Sequence, residues 1–129
     1  MTVGISAVNT ADKLLNTIGR TGTTFTAGLL YAKLHTGDPG SAGTTSASAV
    51  TTRNSCAFSA SSGGSMALSS MGGTWAMTGT ETITHISLWD NSTAGNFLWS
   101  VALTASKAVV SGDTLSLSTL TLAFTPIAA

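Results

Sequence analysis

The chain has 129 residues, five basic and five acidic, with a formal net charge of zero. That length holds one domain with its own core and leaves no room for a second. Only 8% of the residues are charged, about a third of the usual share. The basic residues Lys13, Arg20, Lys33, Arg53 and Lys107 are scattered along the sequence, which argues against nucleic acid and against a basic membrane-binding helix.

A neutral, weakly charged surface resists self-association poorly. Neighbouring molecules are expected to cover part of it, with Ser and Thr hydroxyls hydrating the rest. Cys56 is the single cysteine, so no internal disulfide supports the fold. It reads as a small buried side chain. The start of the chain lacks the basic and apolar segments of a signal peptide. No apolar run approaches the roughly 20 residues that span a bilayer. The protein is therefore expected to be made and used without a secretory or membrane signal of its own.

Met1–Ser6 reads as a short extended lead. Asn9 and Thr10 can each cap a helix, with Asp12 in the first turn. Val8, Ala11, Leu14, Leu15 and Ile18 recur at helical spacing, and Gly19 is placed to end the run. One amphipathic helix is expected over about 11–18, too short to stand alone and packed on a sheet. Thr21–Thr26 is a Gly/Thr connector. Leu29–Thr36 alternates as a strand, and Gly37-Asp38-Pro39-Gly40 closes it with strong turn chemistry.

Residues 41–52 are Ser, Ala, Thr and Gly with Val50 as the one larger apolar side chain. Such a stretch buries too little to offset its ordering entropy. A flexible loop is expected, one that orders against a neighbour in an assembly. Strands follow over 51–59, 66–70 and 74–78, with Gly72-Gly73 as a turn or bulge between the last two.

The heaviest apolar stretch is Glu81–Leu103. Thr82, Thr84, Ile86 and Leu88 fall on one face of an extended segment, and Ile83, His85, Ser87 and Trp89 on the other. Asp90–Gly95 is a turn. Phe97, Trp99, Val101 and Leu103 then share a face, so the segment reads as an antiparallel hairpin with Trp99 buried. Ala105–Val110 and the turn Ser111-Gly112-Asp113 come next. Leu115 and Leu117 share one parity, and Leu120, Leu122 and Phe124 the other. That slip predicts a bulge or bend at Ser118–Thr119. Pro126 ends the last strand. The fold class is mainly β: an antiparallel sandwich or barrel of six to eight strands with one short N-terminal helix, a single domain over 1–129.

The catalytic inventory is thin. His35 and His85 are the histidines; Asp12, Asp38, Glu81, Asp90 and Asp113 are the acids. No serine stands in a G-x-S-x-G elbow, and no H-E-x-x-H or Cys/His cluster offers a zinc site. Asp38, Asp90 and Asp113 fall in turns, where an isolated Asp bonds its own backbone and does not gather the six or more oxygens of a Ca²⁺ site. His85 and Asp113 are the best catalytic candidates only for want of others. Catalytic, cofactor and metal residues are expected to be none.

Leu34-His35-Thr36-Gly37-Asp38-Pro39-Gly40 resembles the LHTGDPG signature of a family of small virion proteins of tailed bacteriophages. Arg53 resembles the arginine that begins that family's next strand, although Thr52 stands where an aromatic residue is expected. Thr84–Trp89 is similar to its THxGLW-like strand, Gly95–Leu98 to its hairpin return, and Ser111–Leu115 to its xGDTL turn. Members carry labels of head decoration, minor tail or tail fibre protein. The resemblance implies a non-enzymatic virion structural protein, made in the host cytoplasm, whose partners are the major capsid protein or tail proteins.

Compactness without a fibrous repeat favours a capsid decoration (cement) protein that stabilises the head shell. A minor tail or tail-fibre-associated protein is the alternative, and a small hydrolase or carbohydrate-binding module the remote one. A homo-oligomer, with a trimer as the expected state, fits the low charge. Cofactors, nucleic acid and membrane are not expected.

Overall fold

A computed structural model describes residues 3–22 and 28–124. Part of the Thr21–Thr26 connector and the strand end at Pro126 lie outside the described residues. A short helix leads into eight strands: β1 (Leu30–His35), β2 (Asn54–Phe58), β3 (Ser65–Met71), β4 (Trp75–Ala76), β5 (Glu81–Trp89), β6 (Phe97–Val109), β7 (Thr114–Leu115) and β8 (Thr121–Ala123). Six of them form one antiparallel sheet in the order β6-β5-β1-β2-β3-β8, and β4 pairs with β7 in a small second sheet. The fold is mainly β, as the period-2 pattern requires.

The large sheet is curled. Phe124, just past β8, packs its ring 5.6 Å from that of Trp99 on β6, so the two edge strands approach each other. Twist accumulates across a six-stranded antiparallel sheet and brings its edges around. Inside the curl lie Ala32, Leu34, Cys56, Ile83, Ile86, Leu88, Val109 and Leu122, with Trp75 of the small sheet and Met77 just after it in the same cluster. Trp75 is only 1% exposed, and its indole N–H donates to the Thr52 carbonyl oxygen at 2.9 Å. A buried indole needs that partner.

Two irregularities in the β5–β6 ladder change which side chains share a face. The register shifts between Ile83 and His85 and again between Leu88 and Trp89. The first shift moves Ile83 onto the side of Ile86 and Leu88, so all three enter one core. The alternation expected for 82–89 had put Ile83 on the opposite face. The second leaves Leu98 as an extra residue, with Phe97 opposite Trp89 and Trp99 opposite Leu88. Phe97 and Trp99 therefore face different sides. An inserted residue inverts parity downstream of it. Trp99 is half-buried against the rim of the curl and is not the deepest aromatic; Trp75, Trp89 and Phe97 are buried more fully.

The slip between Leu117 and Leu120 takes another form. β7 belongs to the small sheet and β8 to the large one. Residues 116–120 carry the chain from one to the other, which is the bend expected at Ser118–Thr119. Leu115, Leu117 and Leu120 all still pack on the core.

The helix differs from its expected form at its start. A single wide turn over Ala7–Ala11 precedes the regular helix α1 (Asp12–Gly19). Ser6 caps it: its carbonyl oxygen accepts from Ala11 N–H at 2.9 Å and its hydroxyl from Asn9 N–H at 3.3 Å. Asn9 and Thr10 do not cap. Their side chains donate instead to the carbonyl oxygens of Phe97 at 3.1 Å and Leu98 at 2.8 Å. These bonds fasten the helix to β6, whose outer backbone also pairs with Gly4 and Ser6. Because polar bonds do the anchoring, the apolar stripe is left open. Val8, Leu15 and Ile18 are 70%, 67% and 85% exposed, and Ala11 and Leu14 turn partly inward.

Truncating Trp75 to Ala is expected to cost about 3–5 kcal/mol, as for a fully buried aromatic. The half-exposed Trp99→Ala should cost about half as much, because cost follows the area withdrawn from water. Urea melts of the two variants check the ranking; a larger loss for Trp99→Ala would contradict the packing described.

Candidate functional site

The chemistry-bearing side chains gather on the face of the large sheet that points away from the core. β1 pairs with β5 so that Lys33 lies opposite Ser87 and His35 opposite His85. The 36–50 segment folds back over this face. Thr36 N–H donates to the Ser46 carbonyl oxygen at 2.8 Å, and Ser48 N–H to that of Leu34 at 3.1 Å. Asp38 accepts from Gly40 N–H at 2.7 Å in a side-chain-stabilised turn.

The 41–52 stretch, expected to be flexible from its composition, is tied into the domain in this structure. Ser48 donates to a carboxylate oxygen of Glu81, whose other oxygen accepts from Ala49 N–H at 3.1 Å. Its small residues serve a purpose: Gly43 has φ +70° and lies so near Phe97 that a Cβ would collide with the ring.

His35 is fully enclosed beneath this segment. Its Nδ1 lies 2.9 Å from the Thr45 carbonyl oxygen and its Nε2 2.7 Å from the Ser87 hydroxyl. A carbonyl oxygen only accepts, so Nδ1 carries the proton and donates. Nε2 then accepts from the Ser87 hydroxyl. Ser87 in turn accepts from the Trp89 indole N–H at 2.8 Å. Both ring nitrogens of His35, the Ser87 hydroxyl and the Trp89 indole N–H are thus all paired. Burial lowers the His35 pKa below the ordinary value; Thr45 opposes this, and Lys33 and His85 add to the lowering.

A Ser–His contact can activate a nucleophile. Here the serine hydroxyl is spent on His35 and Trp89, and both Ser87 and His35 are closed to solvent. The arrangement is suited to holding the loop on the sheet. His85, the register partner of His35 on β5, has its Nδ1 2.7 Å from the Thr84 hydroxyl. Asp113 accepts from Val110 N–H at 3.0 Å and supports its own turn. The two catalytic candidates are thus not brought together with a serine. Cys56 is buried and its thiol is pushed up to about 11 by burial. Among the described residues no cluster of three or more potential metal ligands occurs.

Beside this network the guanidinium of Arg53 stacks on the Trp89 ring, 3.7 Å from its centre. One of its nitrogens donates to the carbonyl oxygens of Asn91, at 3.0 Å, and Ala94. Arg53 thereby clamps the β5–β6 hairpin loop. Asp90 clamps it from the other side, accepting from the backbone and side-chain nitrogens of Asn96 at 2.7 Å each. Burial alone would raise the Asp90 carboxyl; the bonds from Asn96, with Lys13, outweigh it and hold the group low. Arg53 was marked in the sequence by resemblance alone. Its contact with Trp89 was missed, because the two are distant in the chain.

The family described as podophage GP4 fiber I protein gp80 matches residues 4–125. The chain belongs to this gp80 family. It is therefore a phage structural protein, the coarse assignment that the resemblance implied. The match does not single out the Leu34–Gly40 signature; in this gp80-family chain that segment earns its place through the His35 network. No curated protein matches the chain. No described helix is long and apolar enough to cross a membrane.

The neutral, buried His35 sets a pH dependence. An unfolded histidine titrates near the ordinary value of about 6.5, so below that pH the unfolded chain binds the proton first and stability falls with falling pH. Above it the network is at full strength. Melting temperature should be flat above about pH 7 and decline from about 6.5 downward. His35→Leu should lose roughly 2–4 kcal/mol and flatten that decline. An unchanged slope in the variant would place the titration elsewhere.

Proposed function

We propose that this chain is a non-enzymatic structural module of the tail-fibre apparatus, acting through attachment to other virion proteins. The family match over residues 4–125 carries this reading, since the family's description is of a fibre protein. The site geometry supports it. His35, Ser87, Arg53, Asp90 and Asp113, the side chains that could run chemistry, are each engaged in holding a loop or turn.

Two features favour contacts with neighbours: a charged fraction of 8%, and the apolar side chains Val8, Leu15 and Ile18 open on the helix. Burying such side chains gains free energy in proportion to area. Self-association as a trimer is the state we favour. Head decoration, suggested by compactness alone, draws no support from the fibre description.

Cryo-electron microscopy of the virion tests the placement. Density for this chain on the tail, in a small number of copies, is the expected result. Hundreds of copies over the head shell would establish decoration instead. Sedimentation of the purified protein tests the assembly state: a species heavier than one chain is expected, and a monomer at every concentration would remove the self-association.

A further inference from the structure

The clamp at Arg53 borders an open cleft of about 480 Å³ lined by Lys33, Thr51, Thr52, Arg53, Ser92, Thr93 and Ala94. Two of the five basic residues of the chain meet here. Lys33 reaches the cleft from β1, and Arg53 from the residue before β2. Both are half-buried.

Arg53 is the charged neighbour that acts on Lys33, and it repels: burial first and then Arg53 disfavour the ammonium. Asp90 acts on Arg53, yet its two oxygens are turned to Asn96. Arg53 has one nitrogen committed to the hairpin carbonyls, which leaves its other terminal N–H group for a ligand. Its stacking on Trp89 fixes the plane of that fork. Around the two cations stand the exposed hydroxyls of Thr51, Thr52, Ser92 and Thr93.

We propose that this cleft binds an acidic saccharide through its anionic group, a uronate carboxylate or a sugar phosphate, held between the Lys33 ammonium and the remaining terminal N–H group of Arg53. Two like charges brought together are stabilised by an oxyanion that bridges them, and a pre-set guanidinium suits that geometry. The surrounding hydroxyls fit the neutral part of such a ligand, which presents hydroxyls of its own. The cleft has no exposed aromatic platform, since Trp89 is buried under Arg53. The charge, not ring stacking, must therefore supply recognition. The proposal does not depend on whether the chain sits on tail or head.

Amide-resolved NMR titration of the whole protein in low salt tests it, with inorganic phosphate, glucuronate and neutral glucose as separate probes. Phosphate and glucuronate should each shift the amides of Thr51–Arg53 and Ser92–Ala94 saturably, and salt should weaken both. The stronger of the two identifies the anion preferred. Lys33→Gln should weaken binding about tenfold, the loss of one charge-assisted bond, with an unchanged melt. Lys107→Gln removes the same charge from the far end of β6 and should leave binding intact. No saturable shift with either anion would overturn the proposal. Equal binding to glucose, or an equal loss in both lysine variants, would do so as well.

Discussion

The outer half of this domain depends on one enclosed imidazole. His35 ends β1, and its two nitrogens reach in opposite directions, one to the backbone of the folded-back loop and one across to β5. Ser87 passes the connection on to Trp89. A buried polar group left without a partner costs about 1–3 kcal/mol. The network is therefore stable only when loop and sheet are docked together. That coupling explains how a segment of Ser, Ala, Thr and Gly holds a defined path with few apolar side chains of its own. The hydrogen bonds give it direction, and Val50 and Ser48 are the side chains it buries.

The same network positions the hairpin. With its indole N–H fixed by Ser87, Trp89 presents a ring face to Arg53 and lies 5.7 Å from the ring of Phe97. Arg53 then spans from that ring to the hairpin carbonyls. The order of dependence runs from His35 to Ser87, to Trp89, to Arg53 and so to the loop 91–94. The cleft beside Lys33 is the far end of this series. A change at His35 would reach it only through Trp89, which is a coupling through packed, hydrogen-bonded side chains and not through the core.

Much of the architecture was legible in the chain. Six-to-eight-strand β order, the helix near the start, the turns at Asp38, Asp90 and Asp113, and the bend near Ser118 all followed from period and turn chemistry. The misses share a cause. The insertions that move Ile83 to the core side and set Phe97 apart from Trp99 are local irregularities, and a bulge leaves composition untouched. β7 is two residues long, too short to carry a period, and β4 fills only part of the strand expected over 74–78. Asn9 and Thr10 have the chemistry of helix caps, but β6 offered them carbonyl oxygens and Ser6 stood ready to cap. At the site, Asp turns were readable because they are local. His35 with Ser87, and Arg53 with Trp89, are joined by strand pairing and could be found only once the order β5-β1-β2 was known.

The low charge now has a structural account. The loop can lie on the sheet only because its residues are small, as Gly43 against Phe97 requires. Likewise Gly72 leaves room for the Ser55 side chain where β2 and β3 meet. Long charged side chains at such places would hold the layers apart. Hydration then falls to hydroxyls, which tolerate both water and a neighbouring protein surface. The charges that remain are placed with care: Glu81 secures the loop, Asp90 and Arg53 secure the hairpin, and Lys33 stands beside Arg53 with repulsion as its nearest electrostatic effect. In a chain with so few charges, two cations set together against repulsion call for a compensating anion more strongly than the same pair would on a densely charged surface. Here Asp90 is the carboxylate that acts on the pair, and it acts on Arg53 with its oxygens already bonded to Asn96.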